Sequence, residues 1–468
     1  MEKLKVLVKN FVLAGSGNIL GQIISFLILT YLARVLGPDG YGTFNFAQAY
    51  LFYFLILTDL GLSLYITKEA NQGNSYEDIF QDVFGLRVIL TAISFLLFLV
   101  SLILLDLPFS EIKVFFIFGL SILFTGIFID SFFIAKNDMK YNGIAQLFKN
   151  IAYLILCILL VKKNGDVQYA AISYMVGCFL STWYLIYVFQ KKYNIKLRYA
   201  SKLKNYRILI ASLPLALSLM MIQINNNFDI LYLSFYSDNK EWVGYYSAAY
   251  RIIGFLISIL VIYFSASYAT IANLIEKNRD ALNVFIENFF KLGILFVLPV
   301  TIGGIIVSEK LMLFIYGIEF ANSGFLFASL LPLLVIRMIT STYSAVLIMG
   351  NKGKELSTSL IIGALINIVL NIILVPKYGA LGSSVATLIC ESVQGFFLYY
   401  YYKKICNAKI LLSMIKPFFA SLFMAIIILL LDTNLIISIT IGVVSYFIVY
   451  LIIDYKSLTN ILKNQSVH

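Results

Sequence analysis

Long apolar runs broken by short charged islands form the pattern of this chain from end to end. Each run is about 20 residues long, the length at which an α-helix crosses the hydrocarbon core of a bilayer. A transmembrane β-barrel would instead alternate apolar and polar residues through segments of about ten. The pattern therefore predicts an all-α polytopic membrane protein with about 14 transmembrane helices, over 10–34, 40–66, 83–106, 112–135, 143–161, 167–189, 208–236, 243–270, 285–307, 324–349, 356–375, 380–401, 413–431 and 434–453. The first two runs flank a polar turn, Gly37-Pro38-Asp39-Gly40. They hold polar side chains that a passive anchor does not need: Asn18 and Gln22 in the first, Gln48, Thr58 and Asp59 in the second. The segment 309–317 is too short to span and reads as an amphipathic helix lying on the outer face.

Composition agrees with a lipid solvent. Of the 468 residues, 13% are charged, half the roughly 25% of a soluble domain. The net charge of +11 would suit a nucleic-acid partner, but its distribution excludes one. With the N-terminus inside and the spans alternating, 26 of the 35 Lys and Arg fall on the cytoplasmic side and 7 outside, while Arg251 and Arg337 lie within spans. This is the positive-inside asymmetry of a multi-pass protein, and it puts both termini in the cytoplasm. The run after Lys9 is longer than the apolar core of a signal peptide and is expected to stay as the first span.

The longest cytoplasmic island, 190–207, contains KKYNIKLRYASKLKNYR and divides the chain. Short motifs recur on either side of it in the same order. Asn137 matches Asn351 and Gly165 matches Gly379, both at an offset of 214, and Tyr41-Gly42 matches Val243-Gly244 at an offset of 202. A duplication follows. Each half has an even number of spans, so the halves share one topology and relate by an axis along the membrane normal. The expected domains are 1–189, a first six-helix lobe; 190–207, a basic linker loop; 208–402, a second six-helix lobe; and 403–468, two extra helices with a cytoplasmic tail.

Candidate chemistry is sparse. His468 is the single histidine, which removes histidine-based catalysis and histidine metal sites, and no cofactor or metal is expected. Cys157, Cys178 and Cys390 lie in apolar runs and Cys406 in a short basic loop, where they read as small apolar residues. Charges at bilayer depth are different, because each costs about 2.5–3.5 kcal/mol on insertion scales. Arg251, Arg337, Asp229, Glu391, Asp59 and Asp130 therefore each need a reason. Arg251 and Asp229 match in depth and suit a pair, as do Arg337 and Glu391. Gln223, Asn225, Asn226 and Asn227 crowd one span; consecutive residues point about 100° apart, so the three asparagines cannot share a face. Amides of this kind bind sugars and also hold helices together. Asn367 and Asn371, four apart, share a face and read as packing.

The opening hairpin resembles the polysaccharide (O-antigen-type) flippases, often called Wzx, of the multidrug/oligosaccharidyl-lipid/polysaccharide exporter superfamily. The residues that carry the resemblance are Leu32-Ala33-Arg34-Val35-Leu36-Gly37, Gly40-Tyr41-Gly42 and Thr58-Asp59-Leu60-Gly61-Leu62, with Lys68-Glu69-Ala70 beyond. The Val243-Gly244-Tyr245-Tyr246 turn, Tyr316-Gly317 and the turn from Pro376 to Gly382 are similar too. The resemblance implies two six-helix lobes, as in the multidrug exporters, around a central cavity, with two helices added. It implies a bacterial inner-membrane transporter that moves undecaprenyl-pyrophosphate-linked oligosaccharide units outward for surface polysaccharide synthesis. Its partners would be the lipid-linked oligosaccharide, membrane lipids and the polysaccharide polymerase or ligase machinery. On this reading Arg251, Arg337, Asp229, Asn226, Asp59 and Glu391 line the substrate cavity, the arginines receiving pyrophosphate or acidic sugars through their planar, permanently charged fork. Plain interhelical ion pairs remain the alternative for each of the charges, and helix-to-helix hydrogen bonding for Asn226. A multidrug or cation exporter of the same fold is the alternative transporter, though a cation cavity would favour acids over two arginines. A membrane polymerase or glycosyltransferase is disfavoured. The chain has no Asp-x-Asp motif and no phosphate-binding Gly-rich loop, and no island longer than about 18 residues to house a catalytic domain.

Overall fold

The computed structural model describes residues 2–71, 76–105, 107–136, 138–193, 202–237, 239–431 and 433–465. The elements among them are α1 (Glu2–Asp59), α2 (Leu62–Asn71), α3 (Tyr76–Leu104), α4 (Phe109–Thr125), α5 (Asp130–Ala135), α6 (Lys140–Leu160), α7 (Val167–Tyr193), α8 (Lys202–Tyr236), α9 (Lys240–Lys277), α10 (Arg279–Tyr316), α11 (Ser323–Leu330), α12 (Pro332–Met349), α13 (Gly353–Tyr402), α14 (Ile415–Leu431) and α15 (Leu435–Gln465). Two short 3-10 turns, Ile318–Phe320 and Ile410–Met414, complete the list. The chain is thus an all-α, multi-pass membrane protein. Among the described residues, eleven helical segments are long and apolar enough to cross a bilayer.

The expected count of fourteen is not reproduced one helix at a time. Two of the eleven segments, Leu20–Glu69 and Gly353–Tyr402, are 50 residues each and take in two expected spans apiece. A straight helix of that length would be about 75 Å long, more than twice the hydrocarbon thickness. The first is broken at Gly37 (φ 67°) and again at Leu60-Gly61, and the second at Gly379 (φ 55°); the glycines enter the left-handed region cheaply. The expected seventh span, α8, falls outside the eleven. The segment 309–317 is not a separate surface helix: α10 runs on through it to Tyr316. Met312 and Tyr316 are buried, and the Tyr316 hydroxyl donates to the Ala248 carbonyl at 3.2 Å, so protein rather than headgroup covers its apolar side.

Two compact units partition the chain, Met1–Gly244 and Tyr245–His468. In the first, α6 and α7 pack together, and α1 packs against α3, α4, α6 and α8. Asn150 ties α6 to α1 by donating to the Gly21 carbonyl at 2.9 Å. Aromatic rings fill one end of it: Phe80, Phe132, Phe133 and Phe189 are at most 2% exposed and contact one another edge to face or tilted. Of the expected linker 190–207, residues 194–201 lie outside the described residues, as does Asn137 of the repeat.

In the second unit α10 is the hub, contacting α11, α12, α14 and α15. The last two helices are fastened to it at both ends. Asp454, 4% exposed, binds Lys291 of α10 at 2.5 Å and Lys416 of α14 at 2.6 Å. Near the other end, Lys310 of α10 donates to the Thr433 carbonyl at 2.9 Å. Between them Tyr446 donates to the Leu295 carbonyl at 2.7 Å.

The turn motifs that repeat in the sequence meet within the first unit. A β-carbon on Gly42 would overlap the Lys240 carbonyl oxygen, and one on Gly244 would overlap the Pro38 carbonyl oxygen. The contact is reciprocal and leaves no room for a methyl group. Gly42→Ala and Gly244→Ala should each destabilise the protein by about 1–3 kcal/mol or more, the cost of overpacking against backbone that cannot move aside. Gly254→Ala, whose β-carbon meets nothing within 4 Å, should leave the thermal midpoint of detergent-purified protein unchanged. Equal midpoints for all three variants would refute the contact.

Candidate functional site

The C-terminal end of α1 shows how the chain handles charge at depth. The helix stops at Asp59 because Leu60 (φ 38°) and Gly61 (φ 80°) turn the backbone before α2 begins. Asp59 Oδ1 accepts from the Ser63 amide at 3.2 Å and from its hydroxyl at 2.6 Å. The same oxygen receives Arg87 Nη2 of α3 at 2.6 Å. The other arm of Arg87 donates to the Phe128 carbonyl at 2.5 Å. Phe128 lies in the gap between α4 and α5, where a carbonyl has no helical donor and no water to replace it. Arg87 is 6% exposed. Asp59 is therefore half of an ion pair that closes two helix breaks at once. Asp130 opens α5 beside this knot, and its carbonyl accepts from Asn142 at 3.0 Å.

On α8 the amides separate as their spacing requires. Asn225 is buried, Asn226 exposed, and Asn227 half-buried, where its amide reaches Gln223 Oε1 at 3.2 Å. Asp229, one turn on, is 2% exposed. Toward the C-terminal end of α1, that helix and α8 flank a half-open cavity of about 580 Å³ lined by Phe54, Leu57, Leu60, Leu213, Leu217 and Met220. Its one hydroxyl is that of Tyr53, which is buried without a hydrogen-bond partner.

The second unit holds Arg251, Arg337 and Glu391. Arg337 of α12 meets Glu391 of α13, Nη2 to Oε1, at 2.5 Å. The glutamate side chain is 3% exposed and the arginine 25%, so the arginine is the more accessible partner of the pair. Tyr250 of α9 stands within electrostatic range of Arg337, and Arg251, the next residue, is half-buried. Asn367 and Asn371 are fully buried. Asn371 donates to the Asn367 carbonyl at 2.9 Å and accepts from the Ser383 hydroxyl at 3.1 Å. The two asparagines thus staple the two arms of α13 across its break at Gly379.

Of the six expected cavity residues, the structure joins Arg337 with Glu391 and commits Asp59 to Arg87. It places Asp229 and Asn226 on α8 in the first unit and Arg251 on α9 in the second. Two charges counted as cytoplasmic from the sequence lie inside helices instead. Arg87 is eleven residues into α3 and Lys149 nine residues into α6. The sequence carried a signal for Lys149: Asn142, Gln146, Lys149 and Tyr153 recur at the three-to-four spacing of one helix face.

The family model described as "Polysaccharide biosynthesis protein" matches residues 7–275. The chain is 26% identical, over 85% of its length and 100% of the relative's, to the capsular polysaccharide biosynthesis protein CapF of Staphylococcus aureus. It is 22% identical, over 85% of its length and 84% of the relative's, to a protein of Haloferax volcanii described as "Probable low-salt glycan biosynthesis flippase Agl15". Among solved structures, the inward closed conformation of the lipid II flippase MurJ superposes with a TM-score of 0.79 at 20% identity. That match covers 96% of this chain and 100% of the other.

Removing one partner of a buried pair strands the other charge, which costs about 3–5 kcal/mol, whereas replacing both with neutral groups is close to neutral. Arg87→Met and Asp59→Asn should each destabilise the protein by that amount, and the double variant should recover most of the loss. A double-mutant cycle on thermal unfolding checks this. Additive losses would mean that the two side chains do not form the pair.

Proposed function

The chain belongs to the polysaccharide biosynthesis protein family, and on that footing we propose that it is a flippase for lipid-linked oligosaccharides. It carries an oligosaccharide on undecaprenyl pyrophosphate from the cytoplasmic to the outer leaflet of a bacterial inner membrane, feeding the synthesis of O-antigen or another surface polysaccharide. The observation that carries the reading is the match, along most of both chains, to a glycan-biosynthesis protein described as a flippase.

The physical demands of the task suit the residues. A sugar pyrophosphate needs a polar, cationic route, while its lipid tail needs hydrocarbon throughout. Arg337, paired with Glu391 yet partly exposed, is a phosphate donor in waiting, and Arg251 is the second cation. Asn226 supplies an exposed amide for sugar hydroxyls, and Asp229 and Glu391 set the charge balance. Asp59 supports the inner end of the route through Arg87 and does not touch the substrate. The apolar cavity beside Tyr53 is large enough for a stretch of lipid tail. The lobes that alternate access are 1–189 and 208–402, joined by 190–207, with the helices of 403–468 added. Both termini are cytoplasmic, and the product passes to the polymerase or ligase machinery. Transport without chemical change to the sugar is the whole of the activity.

A charge-assisted hydrogen bond to phosphate is worth about 1.5–3 kcal/mol, so Arg337→Ala and Arg251→Ala should each lower glycan export about tenfold or more with membrane insertion intact. Lysine at either position should restore part of it, since it keeps the charge and loses the fork. The readout is accumulation of inner-leaflet lipid-linked units in a strain whose own copy is deleted. Wild-type export by both alanine variants would refute the cationic route. Glycosyl transfer by the purified protein alone would refute the flippase reading itself.

A further inference from the structure

Lys149 stands apart from the other charges at depth. It lies nine residues into α6, which runs Lys140–Leu160, so about 14 Å of helix separate it from the inner end and about 17 Å from the outer end. Both distances are close to half the hydrocarbon thickness. Through the body of α6 the exposed large apolar residues are Ile144, Phe148, Ile151, Ile155 and Ile158, with Leu159 and Leu160 exposed at its end. At 100° per residue Lys149 falls on the opposite side, facing the interior of the first unit. Its stem rests against Gly177 of α7, where an added β-carbon would come within 3.4 Å of Lys149 Cγ. Its ammonium sits over the Tyr174 ring, 4.7 Å from the centroid, beside the Cys178 thiol. Tyr174 is itself fixed by edge and tilted contacts with Tyr153 and Phe118.

What the site lacks is an acid. Arg87 has Asp59, Arg337 has Glu391, and Lys291 and Lys416 share Asp454. Among the described residues no carboxylate lies within ion-pair distance of Lys149. A ring face offsets only part of the cost of a cation at this depth, and Lys149 as a whole residue is half-buried. The missing component is an anion small enough to reach a lysine at mid-membrane, and phosphate matches a point charge with rotatable donors.

We propose that Lys149, set over Tyr174 halfway through the first unit, is a binding contact for the pyrophosphate headgroup of the lipid-linked substrate. This rests on the flippase reading and extends it: the first unit contributes its own cation at the midpoint of the headgroup's path. Tyr174 is a positioning residue that aims the ammonium.

The test uses the full-length protein in detergent with farnesyl pyrophosphate, farnesol and inorganic pyrophosphate as separate probes. Lys149→Met should weaken farnesyl pyrophosphate binding about tenfold or more, while Lys149→Arg stays within about threefold and farnesol binding does not change. The Lys149→Met thermal midpoint should equal or exceed that of the wild type, because a charge without a counter-charge has been removed. Tyr174→Phe, which keeps the ring, should bind as the wild type does, and Tyr174→Leu should not. Equal farnesyl pyrophosphate affinity in Lys149→Met and wild type overturns the proposal while leaving the flippase reading intact. A matching loss of farnesol binding, or a lowered midpoint, overturns it in favour of a packing role. Displacement by inorganic pyrophosphate as tight as by farnesyl pyrophosphate overturns the lipid headgroup as the source of the phosphate. Failure of the wild type to bind any pyrophosphate removes the flippase reading together with the proposal.

Discussion

Inside a bilayer a charged side chain has no water to fall back on, and a broken helix has none to satisfy its loose carbonyls. That shortage organises much of this molecule. Arg87 answers both needs at once: one arm neutralises Asp59 at the end of α1, and the other caps the Phe128 carbonyl in the gap before α5. Asp454 does similar work in the second unit, where a single buried carboxylate holds lysines from α10 and α14 and so decides where the last two helices dock. Charge at depth is here a fastening before it is a binding site. That is why an intramembrane arginine or aspartate cannot be assigned to substrate from its depth alone.

The backbone obeys the same rule. Helices as long as α1 and α13 fit a membrane protein only if they break, and they break at glycines that take a positive φ. The break in α13 is then spanned from the side, with Asn371 on one arm accepting from Ser383 on the other. Gly165 and Gly379, 214 residues apart, occupy comparable places: the first lies in the turn between α6 and α7, and the second in the break of α13. At Gly42 and Gly244 the backbones approach so closely that each excludes a side chain from the other's turn.

The class of fold was legible because apolar length is a one-dimensional property, and the charge asymmetry tested the topology independently. Pairing within the second unit was legible as well, since Arg337 and Glu391 were two costly charges of opposite sign, each at the middle of its expected span. What the sequence did not disclose was where helices end. Arg87 and Lys149 were assigned to the cytoplasm because each sits near a margin set by hydropathy, and hydropathy places a margin only to within a turn. Once α3 and α6 are seen to begin earlier, the nearest partner of Asp59 changes from unknown to Arg87. The continuation of α10 through 309–317 was missed for a related reason: a polar Glu309-Lys310 pair looks like an interface until Lys310 is found spending its charge on the Thr433 carbonyl.

The two kinds of cation have different consequences for a passing anion. A phosphate arriving at Arg337 meets a cation that Glu391 already neutralises, so it must share or displace that carboxylate, and the net gain is the difference between two similar interactions. A phosphate arriving at Lys149 meets a charge balanced only by a ring face and a thiol, so nearly the whole interaction is new. Paired cations therefore make a route on which an anion can move without being trapped. An unpaired one makes a place where it rests. A carrier needs both, because binding has to be favourable enough to draw a headgroup out of water and weak enough elsewhere to let it leave.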